Sequence, residues 1–137
     1  MLVRVVGGKK RRRVERKTAH NMADDPDNEL EIDVHAGVSG NAMTQKAFVW
    51  GDLTIAERPG APSWGLHKDE QGRVRPGLKS ILSVPLVDVD DPQGEPMGTL
   101  QIDSDLPIEE FLRDPAAGGR IAARFGDVVA LLLKERG

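Results

Sequence analysis

The chain has no cysteine and no tyrosine, and its aromatic residues stop at two tryptophans and three phenylalanines in 137 residues. Without a thiol there is no disulfide, no thiolate metal site and no cysteine nucleophile. With aromatics so scarce, a core has to be built from Val, Leu, Ile and Ala. Also missing is any apolar run near the roughly 20 residues a membrane-spanning helix needs. The N-terminus lacks the apolar stretch and small-residue cleavage site of a secretory signal. The expectation is a cytoplasmic protein with no membrane partner. The three histidines, His20, His35 and His67, lie far apart without metal-ligand spacing, so no metal is expected.

The length suits one domain over residues 1–137, with enough chain for a real core. The formal net charge of −3 hides an uneven distribution. Residues 1–17 hold eight bases against Glu15 alone, and residues 24–33 hold six acids and no base. The two blocks either face each other or each address a partner. The run Lys9 to Arg13 has the form of a nucleic-acid or nuclear-targeting patch. The acidic total charge and the lack of interleaved aromatics for base stacking argue against nucleic acid as a partner.

The organising stretch is Leu78 to Ser104. Leu82, Val84 and Leu86 alternate with Ile81, Ser83, Pro85 and Val87; Gly98, Leu100 and Ile102 alternate with Thr99, Gln101 and Asp103. Two period-two runs around the turn-forming Asp90 to Pro96 predict an antiparallel hairpin at the centre of a sheet, covered on both faces. Before it, Met1 to Val6 reads as a strand with a turn at Gly7-Gly8, and Arg11 to Ala19 as a polar edge strand. Leu30, Ile32 and Val34 mark a half-buried strand. Ser39 is placed to cap a short helix ending near Lys46, and Ala47 to Trp50 reads as a brief strand. Residues 53–77 are irregular and hold Trp64, His67 and Arg75, side chains suited to a ligand or partner. After the hairpin, Pro107 starts a helical turn that Asp114-Pro115 ends. The last helix runs from about Gly118 to Arg136, with Ile121, Phe125, Val128, Val129 and Leu132 as its sheet-facing stripe.

The segments Gly37/Gly40/Ala42, then Asp52, then Ser80/Val84/Pro85, then Gly98/Leu100/Asp103/Ser104 resemble, in that order, the motifs of a GAF domain. The resemblance covers nearly the whole chain. It implies an α+β, PAS-related fold: an antiparallel sheet of five to six strands, the C-terminal helix on one face, and loops and short helices over the other. It also implies a regulatory or sensory role in signalling, with a small molecule bound on the face away from the helix and no covalent catalysis. Cysteine-linked bilins are excluded, as is the family's methionine-sulfoxide reductase activity, which needs thiols. His67 as a haem ligand and a cyclic-nucleotide signature at Asp69-Glu70 both lack supporting residues, so the cofactor is unknown.

The candidate ligand contacts are Trp50, Trp64, His67, Arg75, Ser83, Thr99 and Gln101. Ser83, Thr99 and Gln101 lie opposite the aliphatic face, where a few hydrogen bonds orient a ligand; otherwise they are partly buried sheet residues under a closed loop. No serine sits in a nucleophile elbow, and the chain is expected not to be an enzyme. The alternative function is a dimerisation or protein-interaction module with no ligand. Family members usually begin with a long helix before the first strand, and this chain begins at the strand. Either a leading segment lies outside this chain or the terminal helix packs against something else. Because Leu131 and Leu133 widen its apolar stripe, the terminal helix is expected to meet a second copy or a partner chain through Phe125, Val129, Leu131, Leu132 and Leu133.

Overall fold

The computed structural model describes residues 2–8, 11–18, 32–33, 36–53 and 77–136. The central hairpin forms as its alternation predicts, from β5 (Ser80–Leu86) and β6 (Gly98–Ser104), with Leu82 opposite Ile102, Ser83 opposite Gln101 and Val84 opposite Leu100. On one side β4 (Val49–Asp52) pairs antiparallel with β5, Trp50 standing opposite Leu82 and Gly51 opposite Ile81. On the other side β1 (Leu2–Gly8) joins β6, β2 (Arg11–Thr18) joins β1, and β3 (Ile32–Asp33) joins β2. The sheet order is β3-β2-β1-β6-β5-β4, antiparallel at every junction. The fold is thus α+β, an antiparallel sheet with a C-terminal helix. The side chains are described for three of its strands, β4, β5 and β6.

Three strand expectations change. Gly7 and Gly8 continue β1 instead of turning. The basic strand β2 is not the edge, because β3 pairs outside it with Arg13 opposite Asp33, a point of register between the basic and acidic blocks. Leu30 and Val34, expected in the same strand as Ile32, lie outside the described residues.

Each face of the hairpin is covered by one helix. On the face of Ile81, Ser83 and Pro85 lies α1 (Gly37–Gln45), whose Val38 reaches so close to β4 that a Cβ on Gly51 would fall 2.4 Å from its Cγ2. Ser39 does not cap this helix. Ala36 occupies that position, and Ser39 falls within the first turn. Lys46 ends α1 in the left-handed region, φ 51°, its N–H bonded to the Ala42 carbonyl.

After the short α2 (Ile108–Phe111), α3 (Pro115–Arg136) crosses the opposite face. It begins three residues earlier than predicted. Asp114 caps it, accepting a hydrogen bond from the Ala117 amide at 3.0 Å, and Pro115 takes the first helical position, where its missing N–H costs nothing. The sheet-facing stripe is not the expected one. Gly119, Ala122, Gly126 and Ala130 are buried, Val129 and Leu133 are half-buried, and Ile121, Phe125, Val128, Leu131 and Leu132 are exposed. The reason is space: β5 brings Leu82, Val84 and Leu86 to this face, and helix and strand approach until a Cβ on Gly126 would fall 2.8 Å from Val84 Cγ1. Only small residues fit there. Leu82, Val84 and Ala122 form the centre of this layer, with Phe48, Trp50 and Leu100 packed around them. Ile102, expected under the same helix, is left exposed beyond its reach.

The C-terminal end of α3 is tied to the hairpin loop. The Lys134 ammonium donates to Asp88 Oδ1 at 2.8 Å and also to Asp90 Oδ2. No helix among the described residues is long and apolar enough to cross a membrane.

Candidate functional site

The period of two in β5 and β6 sends Ser83, Thr99 and Gln101 to the face under α1, away from α3. Ser83 and Thr99 are both 0% exposed, and neither Ser83 Oγ nor Thr99 Oγ1 has a hydrogen-bond partner. A buried hydroxyl with its bond unmade costs about 1–3 kcal/mol relative to a satisfied one. Two such groups on adjacent strands of one face therefore call for an explanation. Gln101 lies on the same face and is already engaged. Its Oε1 accepts from Ser39 Oγ of α1, and its Nε2 donates to Asp103 Oδ1 at 2.7 Å. This Ser39–Gln101–Asp103 chain holds the roof of the site against the sheet and leaves the two hydroxyls as the free donors.

Ser39 and Asp103 were missed as site residues by sequence reasoning. Asp103 shares the alternation of Thr99 and Gln101, so its face was legible. Ser39 was not, since nothing local says that α1 turns it towards Gln101 sixty-two residues later.

Trp50 belongs elsewhere. Opposite Leu82 in the register, it points to the α3 face, where its indole N–H donates to the Pro115 carbonyl at 2.8 Å and its ring packs on the core. Alternation along β4 separates it from Ser83, Thr99 and Gln101. Trp64, His67 and Arg75 lie outside the described residues. Among the described residues, no three His, Asp or Glu side chains converge on one point. A shallow open depression of about 490 Å³ lies beside α3 between Phe48, Ala117, Arg120, Ile121, Arg124 and Asp127. None of the described residues that line it is a buried polar one.

Comparison with solved structures places this fold. A type II free methionine-R-sulfoxide reductase from Thermoplasma acidophilum superposes with a TM-score of 0.59 at 22% identity, over 98% of this chain and 77% of that one. An NreA protein from Staphylococcus aureus, mutated in its nitrate-binding site, gives 0.53 at 13% identity, over 78% of this chain and 73% of that one. A hypothetical protein of S. aureus, SA1058, gives 0.52 at 12% identity, over 78% and 82%. The chain shares a GAF-like fold with them, and at these identities the likeness is one of fold alone. No family model matches the chain, and no curated protein does either.

One expectation is corrected by this likeness. The chain was expected not to be an enzyme, but a protein with this fold is a reductase, so the fold gives no ground for excluding one. The lack of cysteine limits only the means: no thiol for such chemistry comes from these 137 residues.

Proposed function

We propose that this chain is a GAF-like domain that binds a small molecule between α1 and the sheet, with the Ser83 and Thr99 hydroxyls as its direct donors. The observation that carries this reading is the pair of fully buried hydroxyls without partners. Both hydroxyls are 0% exposed, so a ligand reaches them only where α1 parts from the sheet, and its acceptor oxygens then satisfy both at once. Ser39 and Gln101 position the roof. Trp64, His67 and Arg75 are assigned to the same ligand on sequence grounds alone. The role of such a domain is regulatory, reporting the level of its ligand in the cytoplasm.

The fold neighbours suggest two probes, each offering acceptor oxygens: nitrate and free methionine sulfoxide. Thermal melts of the parent are compared with Ser83→Ala and Thr99→Val, which keep shape and remove the donors. A site at 100 times its dissociation constant stabilises the parent by about 2.7 kcal/mol, and the double variant is expected to lose that gain. If these probes and a panel of small oxygen-bearing metabolites all leave the parent melt unmoved, the reading is wrong. A gain of equal size in the double variant puts any ligand elsewhere.

A further inference from the structure

α1 covers the Ser83 and Thr99 hydroxyls with little to hold it down. It has nine residues, too few for a helix to be stable on its own. Of its buried residues only Val38, Ala42 and Met43 bring apolar side chains; the others are Gly37, Ser39 and Gly40. No leucine, isoleucine or aromatic side chain of this helix enters the layer. Two hydrogen bonds tie it to the sheet and its loop. Ser39 Oγ donates to Gln101 Oε1 on β6, and Lys46 Nζ donates to the Gln93 carbonyl in the hairpin loop. The opposite face is held differently, by the 22 residues of α3 packed on Leu82, Val84 and Leu86. An element with so few buried apolar contacts belongs to the low-stability end of a fold.

Both ends of α1 turn sharply. Gly37 enters it at φ 72° and Lys46 leaves it at φ 51°, in the left-handed region that glycine tolerates and lysine reaches only at a cost. Lys46 is the one non-glycine residue with positive φ among the described residues. Thr44, Gln45, Lys46 and Ala47 are exposed, so the last turn of the helix stands clear of the sheet. A change of direction at each end lets the helix move as one body while its internal hydrogen bonds stay made. Lifting it breaks the Ser39–Gln101 and Lys46–Gln93 bonds and withdraws Val38 from its seat against Gly51.

We infer that α1 is a lid, lifting from the sheet as one unit about Gly37 and Lys46, with the Ser39–Gln101 hydrogen bond as its latch. Its role rests on the reading of Ser83 and Thr99 as ligand donors, since their access is what it controls, but the motion belongs to the chain without ligand. The closed form is the resting one. A ligand meets the two hydroxyls only for the fraction of time that α1 is raised, and that fraction scales the apparent affinity. Weakening the latch raises the fraction without touching either hydroxyl.

The chain has no native cysteine, so one introduced thiol reports on one face. Ser83→Cys places it under α1, and Val84→Cys places it under α3, both at buried positions. Labelling of the full chain by iodoacetamide is followed without ligand, from zero to about 1 M urea. The Ser83→Cys thiol is expected to react about 100-fold faster than the Val84→Cys thiol, as local opening does relative to unfolding. Its rate should be nearly flat in urea, because raising one short helix exposes little surface, whereas the Val84→Cys rate should climb steeply. Adding Ser39→Ala should speed labelling of Ser83→Cys about fivefold, the worth of one hydrogen bond, and keep it flat in urea. Thr99→Cys, on the same face, serves as the reporter where Ser83→Cys fails to fold. Equal rates at the two faces, rising together with urea, overturn the lid. So does a Ser83→Cys thiol that reacts as fast as a free one, since α1 would then not be closed. Melts with nitrate and methionine sulfoxide judge the ligand reading separately: a lid that lifts while neither probe nor the metabolite panel binds stands, and that reading alone is refuted.

Discussion

Gly126→Ala tests how closely α3 sits on the sheet. A Cβ at this position would lie 2.8 Å from Val84 Cγ1, 3.7 Å from Leu86 Cδ2 and 3.8 Å from the Pro85 carbonyl oxygen. Val84 and Leu86 are both buried and have no room to retreat. Two effects oppose each other. Alanine in place of glycine inside a helix stabilises by about 1 kcal/mol, and an extra methyl forced into a filled core costs about 1–3 kcal/mol. The net expectation is a loss of about 1 kcal/mol. Gly118 on the same helix is the control. Its Cβ would lie even nearer to a neighbour, 2.3 Å from Leu112 Cδ1, but Leu112 is half-buried and the atom is the end of a flexible side chain. Gly118→Ala should therefore keep most of the helical gain.

The two variants are compared by urea melts at one fixed protein concentration, because association shifts apparent stability. Gly126→Ala is expected to lower the midpoint and Gly118→Ala to raise it, with slopes unchanged. In thermal terms each change is about 3 °C for a chain of this size. Gly126→Leu, which no rotamer relieves against β5, should lose more than either. Equal gains from both alanines would refute the reasoning, since they would mean that α3 rides clear of Val84.

Two further outcomes follow from the same layer and its tether. Leu82→Ala empties a fully buried site and is expected to cost about 2–5 kcal/mol by chemical denaturation, more than Leu100→Ala, whose side chain is only half-buried; the reverse order would move the core from β5 to β6. The hydrogen bond from Lys134 holds the Asp88 carboxyl below the usual carboxylate range, and Asp88 in turn raises the lysine. The lowered acid contributes stability above its ordinary pKa, lost as pH falls through the lowered value. The raised lysine contributes below its ordinary pKa, lost as pH rises through the raised value. The tether therefore acts across the neutral range and weakens with salt, since both groups are at the surface. NMR titration of Asp88 in Lys134→Met is expected to return it towards its usual range, and an Asp88 already there in the parent would mean the tether does not form.

The sequence was most legible where a period of two met turn residues. Within β5 and β6 the alternation assigns the side chains to their faces, so that Ser83, Thr99 and Gln101 share one side. That Ser83 and Thr99 lack partners was not legible, because it depends on how α1 lies across them. The terminal helix misled for a physical reason. Its wheel carries two apolar stripes, one of Ile, Phe, Val and Leu and one of Gly and Ala, and hydropathy ranks the first higher. The choice between them is made by the volume already occupied by Leu82, Val84 and Leu86, which sequence periodicity on α3 does not contain. Trp50 misled through scarcity: a rare aromatic beside an irregular segment suggested a ligand contact, whereas its register opposite Leu82 makes it a core residue. The alternation of Leu30, Ile32 and Val34 marks a strand but not its neighbour, so nothing in it says that β3 pairs outside the basic β2.

The ligand site and the α3 layer use opposite faces of the same strand, and this makes them separable by experiment. Ser83 and Val84 are adjacent in β5, yet one points to α1 and the other to α3. Groups so separated, with no shared partner, are expected to act additively within about 0.5 kcal/mol. Without ligand, Ser83→Ala with Thr99→Val should leave stability unchanged or slightly higher, because removing an unpaired buried hydroxyl removes its desolvation cost. The same pair should leave the loss from Gly126→Ala untouched. Conversely, Gly126→Ala should leave the response to the ligand probes intact. The combined variant should show both losses at their separate sizes, read by melts in the presence and absence of probe. A combined effect differing from the sum by more than about 0.5 kcal/mol would mean that the sheet transmits between its faces. β5 would then be the element that carries the ligand signal to α3.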